Sequence, residues 1–276
     1  MTSIPDSKPT LAFFGATGLC ANAALAQTIK AGFHATACSD ILGTVVRTPS
    51  KLIKLLLDRG LEQSVLDGNL TIIQGDVKDE ATVKKALTIN GRLVDIVISG
   101  VGAIPSISWS WNPMNIIGLG DATICETATR TILSAISSIM KESVLVAKPL
   151  MLVISTTGIS DFTRDVPLAL LPLYRPLLAI PHRDKKGMET ALADSVKGNH
   201  APIRGFIAVR PTLLTAGAGL GVKKIRTGWE DLEGEGPGPA LGYSIAREDV
   251  GSWIFEHIVQ NHERDHWAGK MVSLTS

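Results

Sequence analysis

Short apolar runs alternate along the chain with longer stretches in which apolar residues recur every three or four positions. The short runs predict strands, and the longer stretches predict amphipathic helices. Predicted strands lie at 11–14, 33–38, 70–77 with its turn, 94–102, 150–154, 207–211 and 270–274, and predicted helices at 23–29, 80–87, 122–140 and 246–259. The alternation predicts an α/β fold with a Rossmann-type, doubly wound parallel sheet.

The first predicted strand leads into a glycine turn at 15–21, and a helix follows directly. Gly15 allows a tight turn, and Gly18 lets an anion approach the main chain at the helix N-terminus, where unpaired N–H groups favour negative charge. Ala21 stands at the third glycine position, which is an allowed variant. This context predicts a dinucleotide site at Gly15, Thr17, Gly18 and Leu19. An ordinary strand-to-helix turn without a ligand is the competing interpretation.

Two interpretations of the nucleotide compete near the end of the second predicted strand, where a side chain contacts the adenosine ribose. Asp40 at that place would accept the 2′-hydroxyl and favour NAD. Arg47 and Lys51, four residues apart around a turn, would instead surround a 2′-phosphate and favour NADP(H), since two cations can converge on one dianion. We favour the second interpretation, against the competing one in which Arg47 and Lys51 are solvated loop charges.

The ends of the third and fourth predicted strands complete the nucleotide site, because ligands of such sheets bind at the carboxyl ends of the strands. Asp76 and Val77 follow the third strand and are predicted to border the adenine. The small residues at the end of the fourth strand, Ser99, Gly100 and Val101, are predicted to leave room for the cofactor.

The composition limits which kinds of binding partner and which cellular location the protein is expected to have. The chain has 276 residues, a net charge of +1 and 19% charged residues, which predict one domain over 1–276 and no nucleic-acid or membrane partner. Cys20, Cys38 and Cys125 have no metal-site spacing, and residues 1–9 lack the apolar core of a signal peptide. We therefore expect no metal and a cytoplasmic location. Cys20 is interpreted as a small packing residue rather than a reactive thiol.

The stretch 165–181 is apolar but carries four prolines and Arg175, which exclude a membrane helix. Because it leaves the carboxyl end of a strand, it predicts an apolar pocket wall or a contact within a homodimer, with an ordinary core segment as the other interpretation. A glycine-rich stretch follows, and the segments at about 160–182 and 212–245 together predict a small C-terminal substrate lobe. The expected partner is a small apolar molecule.

The chain resembles the NmrA-like members of the atypical short-chain dehydrogenase/reductase superfamily, of the kind found among fungal tailoring enzymes. The resemblance covers nearly the whole chain and depends on the segments 15–18, 47–51, 75–77, 99–102, 181–185, 188–189, 210–214 and 247–250. It implies that NADP(H) binds at the glycine turn and at Arg47 and Lys51.

The resemblance also implies a catalytic Tyr-x-x-x-Lys motif, in which the tyrosine protonates a substrate oxygen and the lysine holds the nicotinamide ribose. Counting back from Glu189 puts Lys185 in the lysine position and Pro181 in the tyrosine position, and proline cannot donate a proton. Counting from Lys186 instead puts His182 in the tyrosine position.

Three candidates remain for the missing acid. His182 is the first, because an ordinary histidine pKa near 6.5 suits proton exchange at neutral pH. Tyr174 in the apolar stretch is the second, and Ser155 or Thr156 at a strand end is the third, as an orienting hydroxyl. The competing interpretation of His182 is a hydrogen bond within its own loop.

Three functions follow from these features. The first is an NADPH-dependent oxidoreductase that acts on a small apolar carbonyl or enone in secondary metabolism. The second is a redox-neutral cyclase, isomerase or dehydratase on the same fold, with His182 or Asp184 as acid–base group. The third is a non-enzymatic sensor that binds NADP and reports redox state to a protein partner.

Overall fold

The computed structural model of the protein describes residues 8–39, 49–102, 105–107, 117–119, 121–142, 147–170, 178–198, 200–261 and 264–276. Asp40, Arg47 and Tyr174 lie outside these ranges. The roles predicted for these residues stay predictions.

The described strands are β1 (Leu11–Phe14), β2 (Ala35–Ser39), β3 (Leu70–Gln74), β4 (Thr88–Ile89), β5 (Arg92–Leu93), β6 (Ile96–Ser99), β7 (Pro105–Ile107), β8 (Ile117–Leu119), β9 (Leu150–Ile154), β10 (Gly205–Pro211), β11 (Leu213–Thr215), β12 (Arg226–Glu230), β13 (Ser244–Ala246) and β14 (Lys270–Thr275). Eight of them form the main sheet in the order β12-β14-β10-β9-β6-β1-β2-β3. All neighbours in this sheet are parallel except β12 and β14. The predicted α/β fold with a mostly parallel sheet is confirmed.

The described helices are α1 (Leu19–Lys30), α2 (Pro49–Leu57), α3 (Gln63–Asn69), α4 (Glu80–Ala86), α5 (Ile124–Glu142), α6 (Ala179–Ser195) and α7 (Arg247–Ile254), which continues as a π-helix over Phe255–Gln260. Short 3-10 turns lie at Leu168–Leu170, Val222–Lys224 and Arg264–Trp267. In the ranges given above, no helix is both long and apolar enough to cross a membrane.

The helices cover both faces of the sheet, which makes it doubly wound. Leu11 and Phe13 of β1 belong to one buried cluster with residues of α1, α2 and α7. Ala12 and Phe14, the alternate residues of the same strand, belong to a second cluster with residues of α4, α5 and α6. Because successive side chains of a strand point to opposite faces, a strand buried on both sides must be apolar throughout.

Three local features differ from the sequence predictions or extend them. β4 and β5 form a hairpin whose turn residues Asn90 and Gly91 both have positive φ, as an Asn-Gly turn requires. β12 lies inside the glycine-rich stretch and forms an edge of the main sheet. A Cβ at Gly228 would lie 2.3 Å from the Ala240 nitrogen, so glycine at this position lets Ala240 approach the strand. The helix α6 begins at Ala179, so Pro181 occupies its first turn, where proline is tolerated.

Candidate functional site

The glycine turn after β1 is packed against the end of β6. Gly15 has a φ of +67°, and a Cβ there would lie 2.7 Å from both the Gly100 carbonyl carbon and the Val101 nitrogen. Gly100 donates its N–H to the Phe14 carbonyl at 2.9 Å. Since an L side chain at position 15 would be strained and would overlap backbone, a glycine is needed at this position for the two strand ends to meet.

The first turn of α1 is open to an anion. Gly18 is the N-cap residue, no side-chain hydrogen bond caps the helix, and no acidic residue lies in its first turn. The Gly18 N–H bonds the Gly15 carbonyl at 2.8 Å, which closes the turn. A helix N-terminus with its N–H groups left uncapped, next to residues without side chains, suits the pyrophosphate of a dinucleotide.

A set of hydrogen bonds through Asn22, Arg59 and Glu248, here called the polar bridge, contacts the glycine turn at the Ala16 carbonyl and was not predicted from the sequence. Asn22 is fully buried and donates from Nδ2 to the Ala16 carbonyl at 3.2 Å. Arg59 donates from Nε to Oδ1 of Asn22 at 2.6 Å and pairs through Nη1 with Oε2 of Glu248 at 2.7 Å. The bridge therefore connects the turn, the end of α2 and the start of α7.

Lys185 of α6 joins the ends of two neighbouring strands. Its Nζ donates to the Val101 carbonyl at 3.1 Å and to the Ile154 carbonyl at 2.6 Å. Val101 is also the residue against which Gly15 packs. The structure therefore brings the predicted lysine to the glycine turn, at the carboxyl edge where ligands of such sheets bind.

The hydroxyl of Ser155, at the end of β9, points into a buried ionic cluster. It donates to Oε1 of Glu189 at 2.6 Å. Arg210 donates to both oxygens of Glu189, at 3.0 and 2.6 Å, and to Oε1 of Glu230 at 2.6 Å. Burial opposes the charge of Arg210, but the hydrogen bonds and charges of the two carboxylates outweigh it and raise the pKa of Arg210. Thr163 donates to the second oxygen of Glu230.

The other candidate acids show different surroundings. His182 is half-buried in the first turn of α6, where its backbone N–H donates to the Leu178 carbonyl at 2.8 Å. Burial lowers the pKa of the His182 side chain below the ordinary 6.5. The Thr156 hydroxyl donates to the Thr157 carbonyl at 3.1 Å. Asp184 is buried and accepts the N–H groups of Cys125 and Glu126, so it caps α5. These bonds give Asp184 the structural role of a helix cap, whereas the sequence had also allowed an acid–base role.

Of the other residues predicted to bind the nucleotide, Arg47 lies outside the described ranges, and the surroundings of the rest are described. Asp76 accepts the Lys78 N–H at 2.9 Å in the turn after β3, and the side chains of Val77 and Ser99 are buried. Lys51 is exposed in the first turn of α2. Burial raises the pKa of the Cys20 thiol to about 12, which agrees with a packing role rather than a reactive one.

Comparisons with known proteins show which family and fold the chain shares. No family model matches the chain. Reductase pytE of Aspergillus terreus is 40% identical over 279 residues, and oxidase pynE of Aspergillus niger is 36% identical over 299 residues. Each alignment covers 98% of this chain and 99% of the relative.

Solved structures with low sequence identity share the fold. A short chain dehydrogenase from Bacillus anthracis has a TM-score of 0.57 and 17% identity, with 95% of this chain and 92% of that chain covered. An alcohol dehydrogenase from Thermococcus sibiricus, complexed with 5-hydroxy-NADP, has a TM-score of 0.50 and 14% identity, with 90% and 88% covered. Together with the full-length relatives, these likenesses show that the chain belongs to the Rossmann-fold oxidoreductase family that contains pytE and pynE.

Proposed function

We propose that the protein is an NADPH-dependent oxidoreductase of the NmrA-like, atypical short-chain dehydrogenase type, which acts on a small apolar carbonyl or enone in fungal secondary metabolism. The observation that carries the proposal is the position of Lys185, whose ammonium group bonds the Val101 and Ile154 carbonyls beside the glycine turn. The names of the two Aspergillus relatives, a reductase and an oxidase, support a redox reaction.

The predicted cofactor residues, of which Arg47 lies outside the described ranges, suit the parts of a nicotinamide dinucleotide. Gly15, Thr17, Gly18 and Leu19 would hold the pyrophosphate, Arg47 and Lys51 the 2′-phosphate, Asp76 and Val77 the adenine, and Ser99, Gly100, Val101 and Lys185 the nicotinamide half. Val77 would contribute backbone atoms, because its side chain lies in the core. The bound cofactor supplies hydride to the substrate or accepts hydride from it.

Lys185 provides positive charge at the place where a substrate oxygen would gain negative charge. Its bonds to two backbone carbonyls fix the ammonium group, so little reorganisation is needed during the reaction. The Ser155 hydroxyl donates its proton to Glu189, so it has no proton to give to a substrate. Only its lone pairs remain, and they can accept a hydrogen bond. We assign proton exchange to His182. This residue precedes Lys185 by three positions in α6, and residues three or four apart lie on the same face of a helix.

An assay of NADPH consumption with apolar ketones and enones tests this proposal. We expect turnover with at least one of these classes and a loss of about 100-fold or more in Lys185→Met, since fixed charges at a reacting oxygen contribute factors of that order. Lys186→Met is the matched control, because Lys186 pairs with Asp161 instead. Turnover that is equal in the two variants would contradict the role of Lys185.

A redox-neutral reaction is the second candidate, and two observations favour it. Pro181 stands where the proton-donating tyrosine of the superfamily belongs, and the Ser155 proton is already directed at Glu189. A cyclase, isomerase or dehydratase would use His182 as its acid–base group. Turnover that persists after all nicotinamide nucleotide has been removed would support this candidate and exclude the reductase.

A further inference from the structure

The first turns of α1 and α7 lie side by side at the glycine turn. The two helices run parallel and in close contact, since a Cβ at Gly251 would lie 2.4 Å from the Ala23 Cβ, and Gln27 bonds Ser252 at 2.9 Å one turn later. The bridge from Asn22 through Arg59 to Glu248 connects their beginnings. Arg247, the first residue of α7, therefore starts beside the turn that would receive the pyrophosphate.

The charge of Arg247 reaches the first turn of α1. Burial raises the pKa of Cys20, the second residue of α1, and the positive charge of Arg247 is the strongest effect that opposes this rise. The guanidinium group thus lies close enough to act on groups at the N-terminus of α1. This agrees with the contacts between the two helices.

Arg247 has no anionic partner in the part of the chain that the structure describes. It is half-buried, and its side chain makes no hydrogen bond or ion pair there. Its two acidic neighbours are engaged elsewhere: Glu248 pairs with Arg59, and Asp249 accepts the N–H groups of Leu220 and Gly221. A cation at a helix N-terminus also opposes the helix dipole, so helix stability does not explain its position.

We infer that Arg247 is a binding residue for the pyrophosphate of the dinucleotide, an inference that rests on the proposed function. A guanidinium group presents two parallel N–H bonds that match phosphate oxygens, and it would supply the charge that backbone N–H groups lack. Arg247 would thereby complement Arg47 and Lys51, which the sequence assigns to the 2′-phosphate at the other end of the nucleotide.

Calorimetric titration of Arg247→Ala with NADPH and with adenosine 2′-monophosphate tests the inference. The second ligand carries the 2′-phosphate but no pyrophosphate. We expect NADPH to bind about 10- to 100-fold more weakly than to the wild type, as for the loss of a charged hydrogen bond, while the monophosphate binds equally well. Arg247→Lys should recover part of the NADPH affinity.

Arg92→Ala is the matched control, because Arg92 is an exposed arginine in the β4–β5 hairpin that precedes the amino end of β6. Urea unfolding of each variant verifies that the fold is retained. An NADPH affinity of Arg247→Ala within about twofold of the wild type would overturn the inference alone, and so would an equal loss for both ligands. Failure of the wild-type protein to bind NADPH would instead overturn the proposed function together with the inference.

Discussion

The hydroxyl of Ser155 donates its proton to Oε1 of Glu189 over 2.6 Å, and Arg210 holds both oxygens of the same carboxylate. A hydroxyl has one proton and two lone pairs, so Ser155 can accept a further hydrogen bond but has no second proton to donate. Ser155 follows the carboxyl end of β9, so its hydroxyl connects this end of the strand to a buried ionic cluster on the α6 side of the sheet.

Removing the Ser155 hydroxyl should therefore affect catalysis only slightly. We expect Ser155→Ala to lower the turnover of an apolar ketone by less than about tenfold, far less than Lys185→Met, because a proton donor to the substrate contributes about 10²- to 10⁴-fold. Steady-state kinetics with NADPH measures both variants. A loss in Ser155→Ala as large as that in Lys185→Met would mean that the serine donates to the substrate during the reaction.

Removing the cation of the cluster should strongly destabilise the fold. Arg210→Met leaves Glu189 and Glu230 as two buried carboxylates without a counter-ion, so we expect the free energy of unfolding to fall by about 3–5 kcal/mol. Urea unfolding measures this loss. Arg130→Met is the control, since its ion pair with Glu126 is exposed and should contribute less than about 1 kcal/mol.

The contact between the glycine turn and β6 can be separated from glycine flexibility. Gly15 and Gly91 both have positive φ, at +67° and +74°, but a Cβ at Gly91 would meet no atom within 4 Å. Each alanine variant should lose about 1–2 kcal/mol through the left-handed conformation, and Gly15→Ala should lose about 1–3 kcal/mol more through overlap with Gly100 and Val101. Equal urea midpoints for the two variants would show that the turn does not depend on this contact.

Acid should destabilise the protein through two half-buried histidines. Burial lowers the pKa of His182 and of His257, although Glu256 opposes the effect at His257. The unfolded chain then binds protons first, so the free energy of unfolding decreases as the pH falls through 6.5 and on toward the lower pKa of the folded state. We expect the double variant His182→Gln, His257→Gln to lose less stability between about pH 7.5 and pH 5.5 than the wild type. His200→Gln, at an exposed position, should behave like the wild type.

The elements that were predicted correctly from the sequence are those whose pattern lies within their own residues. Strands such as Leu11–Phe14 and Leu150–Ile154 are apolar because both faces are covered, and that pattern is visible in the residues themselves. The β4–β5 hairpin also has a local signal, because the Asn90-Gly91 pair is typical of a two-residue hairpin turn. By contrast, the edge strand Arg226–Glu230 could not be predicted from an apolar pattern, because it contains and is followed by glycines. Gly228 lets the following segment approach the strand closely.

The candidate site was only partly predictable because much of it depends on distant residues. Lys185 and Ser155 could be named from motifs, but the bond between Ser155 and Glu189 depends on how α6 packs beside β9. The bridge from Asn22 to Arg59 and Glu248 spans 37 and 189 residues, so no local pattern could reveal it. Asp184 was open to a catalytic interpretation until its two N–H contacts identified it as a helix cap.

Calorimetric titration of the purified protein with NADPH and NADH, repeated on Arg47→Ala, is the measurement that tests the proposed cofactor most directly. We predict micromolar binding of NADPH, weaker binding of NADH, and a loss of about 10- to 100-fold for NADPH alone in Arg47→Ala. Binding of neither nucleotide by the wild type would contradict the proposed cofactor. Equal losses for both nucleotides in the variant would contradict the assignment of Arg47 to the 2′-phosphate.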